Sequence, residues 1–226
     1  MNRLADEAIV LSRVDYGERD RILTLFCKNQ GKVRALAKSV RSAKSKLAGG
    51  IELFSESQVS LVEGKSGLYV LTSSRLKQHF AGLVRDLDKT MLAYGLLKTI
   101  DKISEDSSGQ DYYQILLASL KTLDDPKYPK ELVQLWFSLQ VLKLSGHAPN
   151  LDSDAAGNKL PQAESYAFDY DKQCFTPKES SNFTSGHIKL FRLCSSRTSP
   201  PNVILDEDVI LQSAKLANQL LSANVL

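Results

Sequence analysis

The sequence predicts an α+β protein in which a small barrel of five short strands precedes a mostly helical remainder. Three observations carry that prediction. Up to about residue 80, apolar residues alternate with polar ones in short runs, the period of half-buried strands. From Ala81 onward they recur every three or four residues, the period of amphipathic helices. Charge changes with the period: residues 1–80 hold 14 Lys/Arg against 8 Asp/Glu, and the remainder holds 15 against 18. A basic front and a mildly acidic back predict that any polyanion is met by the first part.

With 226 residues, 42% hydrophobic and 24% charged, the chain can bury a core and is expected to be folded. It has room for one large domain or two to three small ones. No apolar run approaches the roughly 20 residues of a membrane span, and Met1–Glu7 lacks the apolar segment of a signal peptide. Cys27, Cys174 and Cys194 are too few and too scattered for a disulfide framework. Their odd count suits a reducing compartment, so a cytoplasmic protein is expected.

The first strand covers Ala8–Leu11 and continues through Arg13 and Val14, with turn chemistry at Asp15-Tyr16-Gly17-Glu18. Arg21–Phe26 is the second, closed by a short hairpin turn ending at Gly31. Lys32–Ala37 is the third. Its alternation points Val33, Ala35 and Ala37 inward and Lys32 and Arg34 outward. After Ser39 the alternation stops, and Ser42, Ser45, Gly49 and Gly50 mark a mobile loop. Glu52–Val62 is the fourth strand, Glu63–Gly67 a turn, and Leu68–Thr72 begins the fifth. Five short strands with Gly-rich turns fit an OB-fold, and an SH3-like barrel gives a similar trace.

In the helical part, Leu83, Leu87, Met91 and Tyr94, flanked by Val84, Leu92 and Leu96, form the first stripe. Ser104–Gly109 breaks it, and Asp111 is read as the N-cap of a second helix reaching Leu123. Pro129 opens a third, rich in Leu and carrying Trp136, with Gly146 as its C-terminal stop. These three read as a small bundle. His147–Asn182 is irregular, with a short hairpin at Tyr166–Phe175. Two more helices are expected, one at Ser185–Ser196 and one starting at Asp206. The expected division is therefore barrel 1–80, bundle 81–147, irregular insertion 148–183 and terminal helices 184–226.

Little in the chain recommends catalysis. His79, His147 and His187 stand at no metal-ligand spacing, and no HExxH, Walker A, GxGxxG or GxSxG pattern occurs. No cofactor is expected. What remains is binding. Residues 28–50 contain Lys28, Lys32, Arg34, Lys38, Arg41, Lys44 and Lys46 and no acid, a pattern suited to a phosphate backbone. A solvated surface loop carries the same charges. Tyr16 and Tyr69 border turns and are expected on an exposed face, where they can stack bases; Phe26 and Phe54 lie in apolar runs and are expected in the core.

Several segments then converge on one family. Glu7-Ala8-Ile9-Val10-Leu11, Asp15-Tyr16-Gly17-Glu18-Arg19-Asp20 and Gly31-Lys32-Val33-Arg34-Ala35-Leu36-Ala37-Lys38 follow in order. Arg41, Ser45-Lys46-Leu47-Ala48-Gly49 and Phe54 keep the register, and Leu144–Asp152 matches a junction after the central helices. In these segments the chain resembles the RecO family of bacterial recombination mediators. The resemblance implies an N-terminal OB-fold that binds single- and double-stranded DNA and anneals complementary strands, with no enzymatic activity. It also implies two partners, the acidic C-terminal tail of single-strand-binding protein and RecR, with which RecO promotes RecA loading. By position, Lys32, Arg34, Lys38, Arg41, Lys44 and Lys46 are the expected DNA contacts, and Arg19, Arg21, Lys65, Arg75 and Lys77 are secondary ones. Many family members carry a four-cysteine zinc module after the Gly-x-Ala-Pro segment. Here Asp154 and Gly157 replace the first pair and only Cys174 lies beyond, so no metal is expected and the module reads as a degenerate hairpin. The rival reading is a protein-interaction adaptor whose helical groove takes a peptide, the basic loop being incidental.

Overall fold

The computed structural model describes residues 3–64, 67–104 and 109–226. The chain forms two compact units, one ending at Pro126 and the other running from Lys127 to Leu226. Among the described residues, no helix is long and apolar enough to cross a membrane.

The first unit is built on five strands: β1 (Arg3–Tyr16), β2 (Asp20–Cys27), β3 (Gly31–Ala37), β4 (Ser55–Glu63) and β5 (Tyr69–His79). They close in the order β1-β2-β3-β5-β4, with β4 returning to β1. All pairs are antiparallel except β3–β5, where Ala35 meets Tyr69 and Leu36 meets Val70 in parallel. Five strands in this order make the OB-type barrel, closed by the short β3–β5 ladder. Ala8, Val10, Leu23, Leu25, Cys27, Ala35, Ala37, Val59, Leu61 and Leu71 fill it. The alternation read from β3 is correct: Val33, Ala35 and Ala37 face this core.

β1 is longer than its apolar run suggested, because its start pairs with β4 from Arg3↔Val62 onward. β4 starts three residues later than expected. Phe54 has φ of 56°, a left-handed turn no strand residue adopts.

Helices α1 (Leu87–Ile103) and α2 (Gln110–Asp124) belong to the same unit, α1 beside β1 and α2 beside β2. Two readings of these helices change. The apolar stripe expected to be buried in α1 is mostly outside: Leu87 is 75% exposed, Met91 63% and Tyr94 46%. The buried side is Ala93, Leu96, Leu97 and Ile100. Both faces are apolar, and the second is the one that runs on to Asp101, which meets Lys32 of β3. The α2 N-cap is Gly109, with Asp111 in the first turn, where its charge suits the helix dipole. A side chain at Gly109 would start 2.4 Å from Phe26 Cζ, so the close approach of helix to barrel requires glycine there.

The second unit centres on α3 (Lys130–Leu144), which is buried around most of its circumference, Trp136 included. It packs against α4 (Ser185–Ser196) and α5 (Glu207–Asn224). Trp136 Nε1 donates to the Arg197 carbonyl at 3.0 Å, and Gln140 Nε2 to the Cys194 carbonyl at 2.8 Å. α3 ends at Gly146, whose φ is 77°. His147 N–H reaches back to Leu142 O at 2.8 Å and Gly146 N–H to Lys143 O at 3.2 Å, the paired closure that left-handed glycine permits. The expected hairpin is β6 (Tyr166–Asp169) with β7 (Cys174–Pro177). Phe168, Phe175, Phe183 and Phe191 join edge to face, with centroids 5.0–5.6 Å apart, and hold it to α4.

Candidate nucleic-acid interface

The β1–β2 turn and the β3–β4 loop are stitched together. Asp20 Oδ1 accepts the Ser39 N–H at 2.7 Å, which steadies Ser39 at φ of 52°. Arg41 N–H donates to Arg19 O at 3.0 Å. Arg21 Nε lies 2.8 Å from Asp15 Oδ1, and Arg41 Nε 3.4 Å from Asp15 Oδ2. These guanidinium groups, Arg21 foremost, hold the Asp15 carboxyl below its ordinary range. The Asp-Tyr-Gly-Glu-Arg-Asp segment thus uses its acids to fix the root of the basic loop.

The loop is not free along its length. Val40 and Ile51 are buried in the barrel core, and Leu47 and Ala48 pack against it. Leu47 O accepts from Ser74 Oγ at 2.9 Å. The apolar residues scattered through the loop plug the barrel end. Lys38, Arg41, Lys44 and Lys46 are left exposed.

The expected contacts divide by what stands over them. Arg19, Arg34, Lys38, Lys44, Lys46 and Arg75 are exposed and have no ion-pair partner among the described residues. Arg21 and Arg41 face solvent in part, but they share Asp15. Lys32, expected to project freely, reaches α1: its Nζ lies 2.9 Å from Asp101 Oδ1 and 2.6 Å from Asp101 O. Lys77 is held by Glu7 and, at 3.1 Å, by Glu56, and Glu7 also binds Lys28 at 3.0 Å. The Glu7 carboxyl is lowered by Lys77 and then Lys28, and the Lys77 ammonium is raised by Glu7. Tyr113 of α2 donates to the buried Glu56 at 3.0 Å, so Lys77 belongs to the joint between barrel and helix. Arg75 lies opposite Gln58 on the β4–β5 side. Lys65 falls outside the described residues.

The two tyrosines part company. Tyr16 is 56% exposed, as expected. Tyr69 instead packs against the barrel core, because its partner across the parallel ladder is the inward-facing Ala35.

Sequence reasoning missed two networks, the Glu7–Glu56–Lys77–Tyr113 joint and the capping of the β2–β3 turn. In the latter, Asp6 accepts the N–H groups of Asn29 and Gln30 at 2.9 and 3.2 Å. Acids inside an otherwise apolar strand, Asp6-Glu7 before Ala8–Leu11 and Glu56 in β4, were the available signal.

A zinc ion does not fit the residues of the insertion. Asp154 Oδ1 is engaged by the N–H groups of Ala156 and Asn158, both at 2.9 Å. Cys174 is buried, and burial pushes its thiol up, away from the thiolate a metal needs. Burial likewise pushes Cys27 and Cys194 up to about 12, so none of the three is primed as a nucleophile.

Family models match both parts of the chain, that described as Recombination protein O N terminal over residues 1–80 and that described as Recombination protein O C terminal over residues 84–209. The chain belongs to the RecO family. It is 37% identical over 155 residues to the DNA repair protein RecO of Desulfatibacillum aliphaticivorans, covering 67% of this chain and 60% of that one. The protein of the same name from Heliobacterium modesticaldum is 36% identical over 145 residues, 64% and 52% of the two chains. That of a Thermoanaerobacter species is 29% identical over 200 residues, 84% and 80%. The alignments thus span between about half and three-fifths of the first two relatives. The first family match ends at Phe80, where the barrel's last strand ends at His79.

Proposed function

We propose that this protein is a DNA-binding recombination mediator that acts without catalytic groups. In this reading the cations around the β1–β2 turn and the β3–β4 loop grip the phosphate backbone. The observation that carries it is the set of exposed cations with no ion-pair partner among the described residues: Arg19, Lys38, Lys44 and Lys46 on two segments stitched by Asp20 and Arg41, and Arg34 on the strand that leads into the loop. Family membership and the relatives' description as DNA repair proteins support it. Annealing needs the repulsion between two phosphate chains removed and contacts weak enough for strands to slide into register. Long flexible ammonium groups supply both, since their contacts are electrostatic and blind to sequence. Single- and double-stranded DNA are the proposed ligands. The tail of single-strand-binding protein and RecR are the proposed partners in loading RecA.

The test is oligonucleotide binding across a salt series with Arg34, Lys38, Lys44 and Lys46 changed to Ala. Affinity is expected to fall, and the slope of log K against log salt to shrink by about 0.7 for each phosphate that is no longer neutralised. An unchanged slope removes these cations from the mechanism, and a wild-type protein that neither binds nor anneals strands defeats the whole reading.

The adaptor reading also has an observation behind it. Val84, Leu87, Met91 and Tyr94 are all exposed and lie along the outer side of the first helix and the turn before it, leading to the exposed Lys98. An apolar stripe ending in a cation suits an apolar peptide with acidic residues, such as the proposed tail. Met91→Glu is expected to abolish capture of a tail peptide while leaving oligonucleotide binding intact.

A further inference from the structure

The outward side of α1 is apolar, and its spacing is that of a helix-pairing seam. Leu87, Met91 and Tyr94 are 75%, 63% and 46% exposed. With Lys98, also exposed, they follow one another at intervals of four, three and four residues. That alternation keeps side chains in line where one helix lies along another. The opposite side of α1, with Ala93, Leu96, Leu97 and Ile100, already packs inward. Gly95 points the same way. It is exposed in the body of the helix, where glycine is destabilising. Among the described residues, a side chain there would meet nothing within 4 Å, so no neighbour in this chain requires glycine. A helix arriving from outside does, because it comes close to α1 only where no side chain intervenes.

The seam is complementary to itself. Let a second α1 run antiparallel to the first, with the two-fold axis level with Leu92 and Ala93. Leu87 then falls opposite the second copy's Lys98, and Met91 opposite the second copy's Tyr94, a thioether against an aromatic ring. Asp88, the acid of the first turn, comes beside the second copy's Lys98, and symmetry makes each contact twice. A parallel arrangement would instead set Lys98 against Lys98 and Asp88 near Asp88, like charges that repel. An acidic peptide on this side would use the stripe and Lys98 but would meet Asp88 as a like charge and leave Gly95 without a role. The seam from Leu87 to Lys98 is about 17 Å long, short enough that the pairing is weak and depends on concentration.

We propose that Leu87, Met91, Tyr94 and Lys98 form a face through which two copies of this chain pair, α1 antiparallel to α1, with Asp88 of each copy beside Lys98 of the other. The helix carries its barrel with it. Asp101 binds Lys32 of β3 at 2.9 Å, the Tyr94 ring meets Phe54 edge to face at 4.9 Å, and all belong to one compact unit. Pairing therefore holds two barrels, each with its own basic loop, in one particle. On the DNA-binding reading above, on which this consequence rests, each loop grips one strand. Two strands held by one particle meet at a raised effective concentration.

Sedimentation of the full chain without DNA, across about 1 to 100 μM, tests the pairing. Wild type is expected to pass from monomer to dimer over that range, and Met91→Glu to stay monomeric throughout. Gly95→Leu is expected to weaken pairing at least about tenfold while raising the melting temperature, since leucine is the better helix former at an open position. Lost pairing in a more stable fold separates contact with a second copy from damage to the helix. Lys98→Glu is expected to weaken pairing, and Asp88→Lys/Lys98→Glu to restore it. A wild type that stays monomeric across the range overturns the proposal, as does a dimer that Met91→Glu leaves intact. A charge exchange that restores nothing overturns the antiparallel arrangement. A monomeric wild type that captures an apolar, acidic peptide through Met91 gives this side of the helix to the adaptor reading instead. A wild type that pairs but binds no oligonucleotide upholds the pairing and removes the DNA-binding reading.

Discussion

Lys32 and Arg34 are two residues apart on the same side of the same strand, and they do different work. Lys32 reaches Asp101 at the end of the first helix at 2.9 Å. Arg34 lies across from Thr24, exposed and with no ion-pair partner among the described residues. The same contrast separates whole rows of the outer sheet: Phe26 is 0% exposed beneath the second helix, and Val14 is 62% exposed on the half that the helices leave bare. Residue type and alternation are alike in both halves. What differs is the presence of a helix overhead, which turns a cation into a tie and an apolar side chain into core. A basic residue in a strand is therefore evidence of charge and facing direction, and of a ligand only where the fold leaves it uncovered.

The largest effect should mark the covered half. Phe26→Ala is expected to cost about 3–5 kcal/mol in denaturant unfolding, whereas Val14→Ala should stay within about 0.5 kcal/mol; similar costs at both sites would erase the distinction. A smaller pair of effects sharpens it at the cations. Lys32→Ala should lower stability by at most about 1 kcal/mol and leave oligonucleotide affinity alone. Arg34→Ala should do the reverse, leaving unfolding unchanged and reducing the salt slope by about 0.7. The smallest effect is acid sensitivity at the joint between barrel and helix. Lys77 and Lys28 hold the Glu7 carboxyl below its ordinary 4.5 in the folded protein, so the unfolded chain takes up its proton first as pH falls. The stabilisation is complete above about pH 4.5 and is lost as pH drops below it. In Glu7→Gln that part of the acid transition should vanish, as read by melting temperature between pH 6 and pH 3.

Most of the barrel was legible because a strand's period of two survives in sequence wherever one side is buried. Val33, Ala35 and Ala37 announced their facing before any fold was known, and the acid-free run through Lys46 announced the loop. The first helix was misread for a related reason. It carries two apolar sides, and Leu87, Met91 and Tyr94 match a helical stripe as well as the side that is buried. Periodicity reports amphipathicity and not which side meets the neighbour. Tyr69 was misplaced because its facing depends on a parallel partner, Ala35, 34 positions earlier in the chain.

The sequence by itself determined the number and order of the barrel's strands, the inward facing of Val33, Ala35 and Ala37, the helix ends at Pro129, Gly146 and Asp206, and the concentration of positive charge in the front third. Each of these rests on backbone conformation or on local alternation, which neighbouring residues impose. Only the tertiary structure decided which cations are spent on carboxylates, that Val40 and Ile51 anchor the basic loop, and that one half of the outer sheet is bare. Those outcomes depend on residues far apart in the chain, such as Lys32 with Asp101 and Lys77 with Glu7. A pairing over such separations leaves no periodic trace, because it is set by how the helices lie on the barrel.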